Sequence, residues 1–397
     1  MTWHASVIGY QSSEGLRQVK LQTRASSDRA GDERNAPLIA HVFPSFSVGG
    51  AQVRFAALAN HFGRAFRHIV VSLDGNLACR ERLRPDLDVT FPAVPAPKNA
   101  MFANALCFRR YLRAWRPDVL VTCNWGAIEF AMGNIPAITR HIHVVDGFGP
   151  EERSTQISRR VWTRRLVLAG DTVVLPSRAL VRVATDVWKL NPRRVAYVPN
   201  GIDLARFAPP ASPPTRPDGT LVIGTVAALR AEKNIGRLIR AFALLAADRP
   251  AHLVIVGDGE ERPALSALVQ TLGLADRVTF TGHRDDTPAL YAGFDVFALS
   301  SDTEQMPLSV IEAMASGLPV AATGVGDVRD MVATENAGFV TALTDEALAA
   351  ALTELAGDAA LRHRLGQANL TKATRDFGQD AMFAAWHALW SGAARPA

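Results

Sequence analysis

The amino-acid sequence predicts an α/β protein made of two doubly wound, parallel-sheet domains that face a cleft. The chain has 397 residues, of which 48% are hydrophobic and 20% are charged, so it is globular and too long for one ordinary core. Short apolar runs alternate with helical patterns in two separate stretches, which is typical of parallel strands joined by crossover helices. A proline-rich segment lies between the two stretches and predicts a domain boundary.

The first domain is predicted over residues 37–207. Residues 1–36 are polar and show little apolar periodicity, so they predict a flexible N-terminal extension. Six apolar runs of the first domain predict strands, with helices between most of them. These runs are Leu38–Phe43, His68–Leu73, Asp118–Thr122, Arg140–Val145, Asp171–Leu175 and Val195–Val198.

A linker is predicted over residues 208–218, because the five prolines there can continue neither a helix nor a strand. A C-terminal domain follows over residues 219–375, and a helix over 376–397 that can pack back on the first domain ends the chain. The predicted strands of the C-terminal domain are Leu221–Val226, His252–Val256, Val278–Thr281, Val296–Leu299 and Val320–Ala322. Its predicted helices lie near Ile235–Ala247, Arg262–Leu272, Pro288–Ala292 and Leu308–Ser316.

The composition predicts a cytoplasmic protein without a metal site. No uninterrupted apolar run approaches the ~20 residues that span a bilayer, and the N-terminus lacks the apolar core of a signal peptide. Cys79, Cys107 and Cys123 form no C-x-x-C pair and are expected to be buried thiols. His141 and His143 can share a strand face, but no pattern supplies a third ligand.

Positive charge is concentrated in the first half of the chain. Residues 1–216 hold 29 Lys and Arg against 16 Asp and Glu, a net charge of +13, whereas the remaining residues have a net charge of −8. Such a balance favours an anionic membrane surface on the inner face of the plasma membrane or a phosphorylated acceptor, or it marks a solvated arginine-rich face. No nucleic-acid-binding signature accompanies the charge. Two arginine clusters supply it: Arg109, Arg110, Arg113 and Arg116, then Arg159, Arg160, Arg164 and Arg165.

Two glutamates seven residues apart are the most informative pattern. Glu304 precedes Pro307, and Glu312 follows about one turn inside the helix predicted from Leu308. The start of a helix has unpaired N–H groups and a positive dipole end, so it can bind a diphosphate. The two carboxylates can then accept hydrogen bonds from sugar and ribose hydroxyls. Two acids on a solvated helix face are the alternative.

Two loops that follow strands carry glycine pairs or cations. Gly49-Gly50 joins a strand to a helix and lets the backbone approach a phosphate or a sugar closely, although a simple turn has the same sequence. Arg230 and Lys233 follow the first strand of the C-terminal domain, at the carboxyl end where doubly wound sheets bind ligands. Two cations there can balance the charge on a departing diphosphate, or they form surface ion pairs.

Later loops of the C-terminal domain argue against a dinucleotide-redox enzyme. Gly257 belongs to a Gly-x-Gly pair after a strand, but Arg262 occupies the third-glycine position of G-x-G-x-x-G. No G-K-[ST] phosphate loop occurs either. His283 and Arg284 belong to the loop Thr281-Gly282-His283-Arg284 after another strand, and this loop could pack on a nucleobase.

Several motifs occur in a fixed order and carry a family resemblance. They are Gly49-Gly50, Pro199-Asn200-Gly201-Ile202-Asp203 with Phe207, the loop Leu229–Asn234, Val256-Gly257-Asp258-Gly259 and the stretch from Glu304 to Glu312. With them, residues 38–390 resemble the GT-B retaining glycosyltransferases of the family-four type, or glycosyl transferases group 1. The resemblance implies two Rossmann-like domains, a donor held mainly by the C-terminal one and an acceptor held mainly by the N-terminal one. It also implies no metal and no cofactor besides a nucleotide diphosphate sugar as co-substrate.

The resemblance further implies roles for individual residues. Glu304 would contact the donor sugar near its reacting carbon, Glu312 would hold the ribose hydroxyls, and Lys233 with Arg230 would bind the diphosphate. The expected catalytic residues are Glu304, Lys233, Arg230 and Asp146. The expected donor-binding residues are Gly49, Gly50, Asn200, Gly257, His283, Arg284, Met306, Pro307, Leu308 and Glu312.

Three departures from the family pattern affect this site. The family often has Gly-Arg where this chain has Ala227-Ala228, so Arg230 is expected to replace that arginine. Its common E-G-F-G-L becomes Glu304–Leu308 with Pro307, which has no N–H to donate. In the cleft loop of the first domain, Asp146 occupies the place where relatives often have a histidine. Its carboxylate either accepts a hydrogen bond from a sugar hydroxyl or caps the loop.

The expected activity is transfer of a hexose-type sugar, with retention, to a glycan or lipid-linked acceptor in cell-surface polysaccharide synthesis. A sugar-nucleotide epimerase can have the same architecture and needs no acceptor. A non-catalytic sugar-nucleotide-binding protein is conceivable because of the three departures.

Overall fold

The computed structural model describes residues 36–97, 100–148, 150–152, 155–209, 219–247 and 249–393. The extension predicted for residues 1–36 lies outside the described residues except for residue 36. The predicted linker lies outside them except for residues 208 and 209.

Two parallel sheets carry the fold, which confirms the predicted α/β class. The strands of the first are β1 Leu38–Phe43, β2 Arg67–Ser72, β3 Val89–Thr90, β4 Val119–Cys123, β5 Arg140–Val144, β6 Thr172–Leu175 and β7 Val195–Tyr197. Those of the second are β8 Leu221–Val226, β9 Ala251–Val256, β10 Val278–Gly282, β11 Val296–Leu299, β12 Val320–Thr323 and β13 Val340–Thr341. Their orders are β3-β2-β1-β4-β5-β6-β7 and β10-β9-β8-β11-β12-β13. The edge strands β3 and β13 were missed, because two residues cannot show a period-two pattern.

Helices follow most strands along the chain. In the first half they are Gly50–Phe62, Met101–Trp115, Ile128–Gly133, Ser158–Val167 and Arg178–Arg182. In the second half they are Ile235–Ala246, Arg262–Thr271, Thr287–Ala292, Leu308–Ala315, Val328–Met331, Asp345–Gly357, Ala359–Asp376 and Gln379–Ser391. Within the described ranges, none of these helices is both long and apolar enough to cross a membrane.

The chain divides into two compact units, residues 1–141 and 142–397, with the boundary inside β5. In the first unit, alternate residues of β1, such as Ala40 and Val42, pack with Phe108 and Phe130 in one apolar cluster. In the second unit, the two faces of the second sheet contribute to two separate clusters. Ile223 and Leu253 belong to one, whereas Val222 and Val256 belong to the other. Both faces of this sheet are therefore covered, as in a doubly wound domain.

The second sheet brings several loops together at the carboxyl ends of its strands. β8 and β11 are paired, parallel neighbours in the sheet, although β9 and β10 lie between them along the chain. The chain therefore winds outward in one direction from β8 and in the other from β11, and loops at such a switch point form the usual ligand-binding crevice. The loops after β8 and β11 contain Lys233 and Glu304.

Candidate functional site

The loops after β8 and β11 bring two predicted catalytic residues into contact. Lys233 Nζ lies 2.6 Å from Glu304 Oε1, and the hydroxyl of Ser301 donates to the same oxygen at 2.8 Å. The two side chains are 25% and 11% exposed. A charge-assisted pair of this length is strong, yet part of it still faces solvent. Because part of the pair faces solvent, a ligand can contact both side chains without disrupting the surrounding structure.

A second set of polar residues fixes these two loops to each other. Asn234 begins the helix Ile235–Ala246 in a left-handed conformation, and its side-chain amide donates to the Asp302 carboxylate at 3.1 Å. Asp302 also pairs with Arg237 at 2.8 Å, and Arg237 donates to the carbonyl of Ser300 at 2.7 Å. The Ser300 hydroxyl in turn donates to the carbonyl of Lys233 at 3.0 Å. These contacts hold Lys233 beside Glu304.

Sequence reasoning missed this polar set. Asn234, just before an amphipathic helix, is a typical N-cap, and it does accept from the N–H of Arg237. Asp302 directly after a buried strand was a second available signal. Neither pattern, however, predicts that Asn234 and Asp302 bind each other across the edge of the sheet.

The helix after Pro307 spans Leu308–Ala315, as the sequence predicts. Pro307 precedes it in an extended conformation and contributes no side-chain cap. Glu312 lies about one turn inside, half-buried, with Oε2 at 2.8 Å from the hydroxyl of Tyr291. Burial raises the pKa of Glu312, while the Tyr291 hydrogen bond and the positive charge of Arg206 act in the opposite direction.

The segment between Glu304 and this helix is anchored through its main chain. The side-chain amide of Asn200 donates to the Met306 carbonyl at 3.2 Å, and the N–H of Asn200 approaches Met306 Sδ at 3.3 Å. The carbonyl of Gln305 accepts from the N–H of Asp327 at 3.0 Å. Asn200 thus positions the segment that contains Met306, and its predicted contact with a donor stays a prediction.

The loop that carries Asp146 lies beside the same segment. A methyl group built on Gly147 would stand 3.6 Å from the Gln305 side chain, whose Oε1 accepts from Ser177 at 3.3 Å. Asp146 itself is half-buried. Gly149, three residues after Asp146, lies outside the described residues. The structure therefore places Gly147, the residue after Asp146, beside Gln305, and the role of Asp146 stays a prediction.

Arg230 lines a cavity whose lining includes neither Lys233 nor Glu304. Arg230 is exposed, and the cavity, of about 310 Å³, is also lined by Asn234, Arg240 and Glu261, between the helices Ile235–Ala246 and Arg262–Thr271. Arg230 and Lys233 thus point to neighbouring but different surroundings.

Gly257 fulfils a steric requirement at the end of β9. Its φ is +131°, and a Cβ there would lie 1.9 Å from the carbonyl oxygen of Ala227. Only glycine lets these two strand ends approach so closely. The same position shapes the loop after β8 that carries the cations.

His283 and Arg284 are exposed at the end of β10. Arg284 forms two hydrogen bonds with Asp286, at 2.7 and 2.5 Å, and His283 lies 3.7 Å from Asp285. The hydrogen bonds with Arg284 lower the pKa of Asp286. The contact of the loop that carries His283 and Arg284 with a nucleobase stays a prediction.

Gly49 and Gly50 lie in the first unit. Gly49 precedes the helix Gly50–Phe62 without a side-chain cap, so the first N–H groups of this 13-residue helix depend on other acceptors. A Cβ on Gly49 would stand 2.9 Å from Gln52 Oε1, and Gln52 donates to the carbonyl of Ser45 at 2.7 Å. The loop is thus compact, and its predicted approach to the donor is not tested.

One arginine cluster differs from the prediction of an exposed basic patch. Arg164 is buried, with two hydrogen bonds to the Glu152 carboxylate at 2.9 and 2.6 Å, and its guanidinium lies 4.9 Å from the Trp188 ring centre. Arg160 also pairs with Glu152, at 3.2 Å. Of this cluster, Arg159 and Arg165 are exposed, whereas Arg160 is half-buried. The prediction was wrong for Arg164, because a run of charges does not show which face of the helix packs inward.

The histidine pair and the cysteines have structural surroundings. His141 is buried, with Nε2 at 2.8 Å from the Thr122 hydroxyl, and Cys79 and Cys123 are buried free thiols as predicted. Cys107 is half-buried. Across the residues that the structure describes, His, Cys, Asp and Glu form no group of three or more with metal-binding geometry.

Comparison with known proteins identifies two family models along the chain. Residues 48–206 match the model of glycosyltransferase family 4, and residues 212–371 match the model of glycosyl transferases group 1. The second match contains Lys233, Glu304 and Glu312.

Individual proteins are similar to the same parts of the chain. A GDP-mannose-dependent alpha-mannosyltransferase of Mycolicibacterium smegmatis is 32% identical over 272 residues, which cover 64% of this chain and 68% of that protein. One of the same name from Mycobacterium tuberculosis is 32% identical over 248 residues, covering 58% of this chain. The chain spans 62% of the length of that relative. The crystal structure of Anabaena HepE in complex with UDP and glucose is 19% identical, with a TM-score of 0.75 over 90% of this chain and 100% of that one.

Proposed function

Because this chain belongs to the glycosyl transferases group 1, of the family-four type and GT-B fold, we propose that it transfers a hexose from a nucleoside diphosphate sugar. The observation that carries this proposal is the contact of Lys233 with Glu304 at 2.6 Å, next to the N-terminus of the helix that contains Glu312. One cation, one carboxylate and a helix N-terminus then lie together at the switch point of a parallel sheet. Such a set matches a sugar joined to a pyrophosphate.

Each part of the donor has a partner in this proposal. Lys233 and the N–H groups of Met306 and Leu308 bind the diphosphate, with Arg230 nearby on the same loop. Glu304 accepts from hydroxyls of the sugar, and Glu312 accepts from the ribose hydroxyls. Because these groups supply positive charge and hydrogen bonds, the transfer would require no metal ion.

The proposed reaction retains the configuration at the sugar carbon. The acceptor oxygen attacks the face from which the diphosphate departs, and its proton passes to a phosphate oxygen of the leaving group. The bond between the sugar carbon and the phosphate oxygen breaks as the new glycosidic bond forms. No enzyme nucleophile is then needed, and the positive charge of Lys233 stabilises the departing diphosphate.

The choice of donors to test follows from the similar proteins. The mycobacterial relatives are named as GDP-mannose-dependent enzymes, and the HepE structure contains UDP and glucose. GDP-mannose, UDP-glucose and UDP-N-acetylglucosamine form the first panel. Purified protein should release nucleoside diphosphate from one of them when glycan and lipid-linked acceptors are present.

The decisive comparison uses Glu304→Ala. Its release rate should fall at least about 100-fold, a typical loss for one transition-state contact. Proton NMR of the product should show the anomeric configuration of the donor, and EDTA should leave the rate unchanged. An altered nucleotide sugar formed without acceptor would instead identify an epimerase. Donor binding without turnover under every acceptor would contradict the proposal.

The acceptor is proposed to be a glycan or lipid-linked sugar at the cytosolic face of a membrane. The helix Met101–Trp115 supports this, because it exposes Phe102 and Leu106, at 77% and 66%, on the same helix as the exposed Arg110 and Arg113. Apolar side chains beside arginines suit an anionic bilayer surface.

Vesicle sedimentation tests this membrane contact. Phe102→Ser combined with Leu106→Ser should lower binding to phosphatidylserine vesicles about 10-fold, and added salt should weaken the wild type. Leu244→Ser, which changes an exposed leucine of another helix, is the matched control. Equal binding to neutral and anionic vesicles would contradict the assignment.

A further inference from the structure

Tyr291 lies between the apolar core of the second unit and the Glu312 carboxylate. Its ring is fully buried, with ring centroids of Phe207, Phe294 and Phe297 each 5.8 Å away. Its hydroxyl reaches Glu312 Oε2 at 2.8 Å and the carbonyl of Ser309 at 3.2 Å. The aromatic packing restricts the orientation of the Tyr291 ring. Its hydroxyl is therefore held in one position, and so is the carboxylate that it binds.

The direction of this hydrogen bond follows from the protonation of Tyr291. Burial, together with the nearby Glu312 carboxylate, raises the pKa of Tyr291 well above its usual value. The hydroxyl therefore keeps its proton and donates. Within the described part of the chain, the hydrogen bond to Glu312 uses Oε2, so Oε1 remains to accept from a ligand.

Arg206 is a second group that acts on Glu312. Its positive charge lowers the pKa of the carboxyl, opposing the effect of burial. It belongs to the short helical turn Leu204–Phe207, whereas Tyr291 belongs to the helix Thr287–Ala292. Two separate segments thus partly offset the effect of burial, which still leaves the pKa of Glu312 above its usual value.

We propose that Tyr291 is a positioning residue that fixes the Glu312 carboxylate for vicinal ribose hydroxyls and so makes the site select ribonucleotides. This inference rests on the proposed function, because it requires a nucleoside diphosphate at the helix Leu308–Ala315. Without the Tyr291 hydroxyl, the Glu312 side chain can adopt other rotamers. Nucleotide binding must then restrict it to one rotamer, which costs free energy and weakens the affinity. Contacts with the base and the diphosphate are unaffected.

Isothermal titration calorimetry with two ligands separates these contributions. Wild-type protein is titrated with GDP and UDP and with their 2′,3′-dideoxy analogues. The better-binding ribonucleotide should bind about 10- to 100-fold more tightly than its analogue, as expected for hydrogen bonds to a charged group. In Tyr291→Phe, ribonucleotide affinity should fall about 3- to 10-fold while that of the analogue stays the same.

Kinetics and a double variant complete the test. Tyr291→Phe should raise the donor KM with little change in kcat, and in a Glu312→Gln background it should change neither affinity. Tyr111→Phe, in the first unit, is the matched control. If Tyr291→Phe weakens both ligands equally, its role is only structural and the inference is overturned. If the wild type binds neither ribonucleotide, the proposed function fails as well, and the two failures are thereby distinguished.

Discussion

Two carboxylate–cation pairs of this chain have the same shortest separation, 2.6 Å, but opposite surroundings. Glu152 and Arg164 have side chains that are 0% and 3% exposed, and the Phe148 and Trp188 rings flank the guanidinium. Glu304 and Lys233 remain 11% and 25% exposed and lie at the carboxyl ends of two strands. Distance alone therefore does not separate a buried structural pair from the pair that we propose to bind the donor. Burial and the position in the sheet do.

The same contrast appears in what else each pair contacts. Glu152 receives hydrogen bonds from two arginines and from the N–H of Ile157. Every direction around its carboxylate is used by the protein. Glu304 accepts from Lys233 and Ser301 through one oxygen, Oε1. The first pair is expected to matter for stability and the second for activity.

The largest expected effect is on stability, from Arg164→Leu. Removing Arg164 leaves the buried Glu152 carboxylate with Arg160 as its cationic partner, at 3.2 Å, so we expect a cost of about 3 kcal/mol, the lower end for breaking a buried pair. Urea denaturation followed by circular dichroism measures it. Arg165→Leu, next in the chain but exposed, should stay within about 0.5 kcal/mol of the wild type. Similar midpoints for the two variants would remove the distinction between the pairs.

Lys233→Ala should show the reverse pattern. We expect kcat/KM for the donor to fall about 100- to 1,000-fold, because the charge on the leaving diphosphate loses its partner. The free energy of unfolding should change by less than about 1 kcal/mol, since the pair is partly solvated. Lys372→Ala, which removes a lysine bound to two main-chain carbonyls elsewhere, serves as the control. A large loss of stability with unchanged turnover would reverse the assignment.

A smaller effect is expected from Asp302→Asn. The substitution keeps the shape but removes the charge that Arg237 faces, so the loop carrying Lys233 becomes less fixed. We expect kcat/KM to fall about 10-fold, the equivalent of about 1.4 kcal/mol. Asp345→Asn removes the partner of Arg240, on the same helix as Arg237, and should leave turnover unchanged. Equal effects of the two variants would mean that Asp302 has no special role.

The pH dependence of stability gives the finest comparison. Burial by itself would raise the pKa of Glu152, but the hydrogen bonds and charge of Arg164 outweigh it together with hydrogen bonds from Arg160 and the Ile157 N–H, so the net pKa is lowered. A carboxyl with a lowered folded-state pKa contributes its stability above the ordinary value of 4.5 and loses it as the pH falls further.

Urea denaturation between pH 7 and pH 3 tests this sign. The stability difference between wild type and Glu152→Gln should shrink below pH 4.5, by at most about 1.4 kcal/mol per pH unit for one group. The difference for the exposed Glu354→Gln should show no comparable trend. A Glu152 difference that grows towards low pH would contradict the argument.

The sequence predicted that Lys233 and Glu304 belong to one site, but it gave no indication of the buried pair, for a physical reason. Lys233 and Glu304 both follow buried apolar runs, and the carboxyl ends of neighbouring parallel strands must meet. Glu152 and Arg164 are linked by no such rule. Their pairing depends on which face of the helix Ser158–Val167 packs inward, and alternating arginines on both faces conceal it.

Contacts between remote segments were equally out of reach. The Asp327 carboxylate accepts from the N–H groups of Arg178 and Ala179, about 150 residues earlier. The Tyr291 hydroxyl donates to Glu312, which belongs to a different helix. Periodicity reports only which side of an element is apolar, so it cannot name a polar partner from another element. The helix start after Pro307 was predictable because its signals are local.

The hydrogen bond between Asp327 and the main chain of Gln305 has a practical consequence. The N–H of Asp327 donates to the Gln305 carbonyl oxygen at 3.0 Å, so this bond does not depend on which amino acid occupies position 305. A saturation library at this codon should therefore yield mostly soluble, folded variants. Altered sugar preference could then be sought by directed evolution without rebuilding the scaffold.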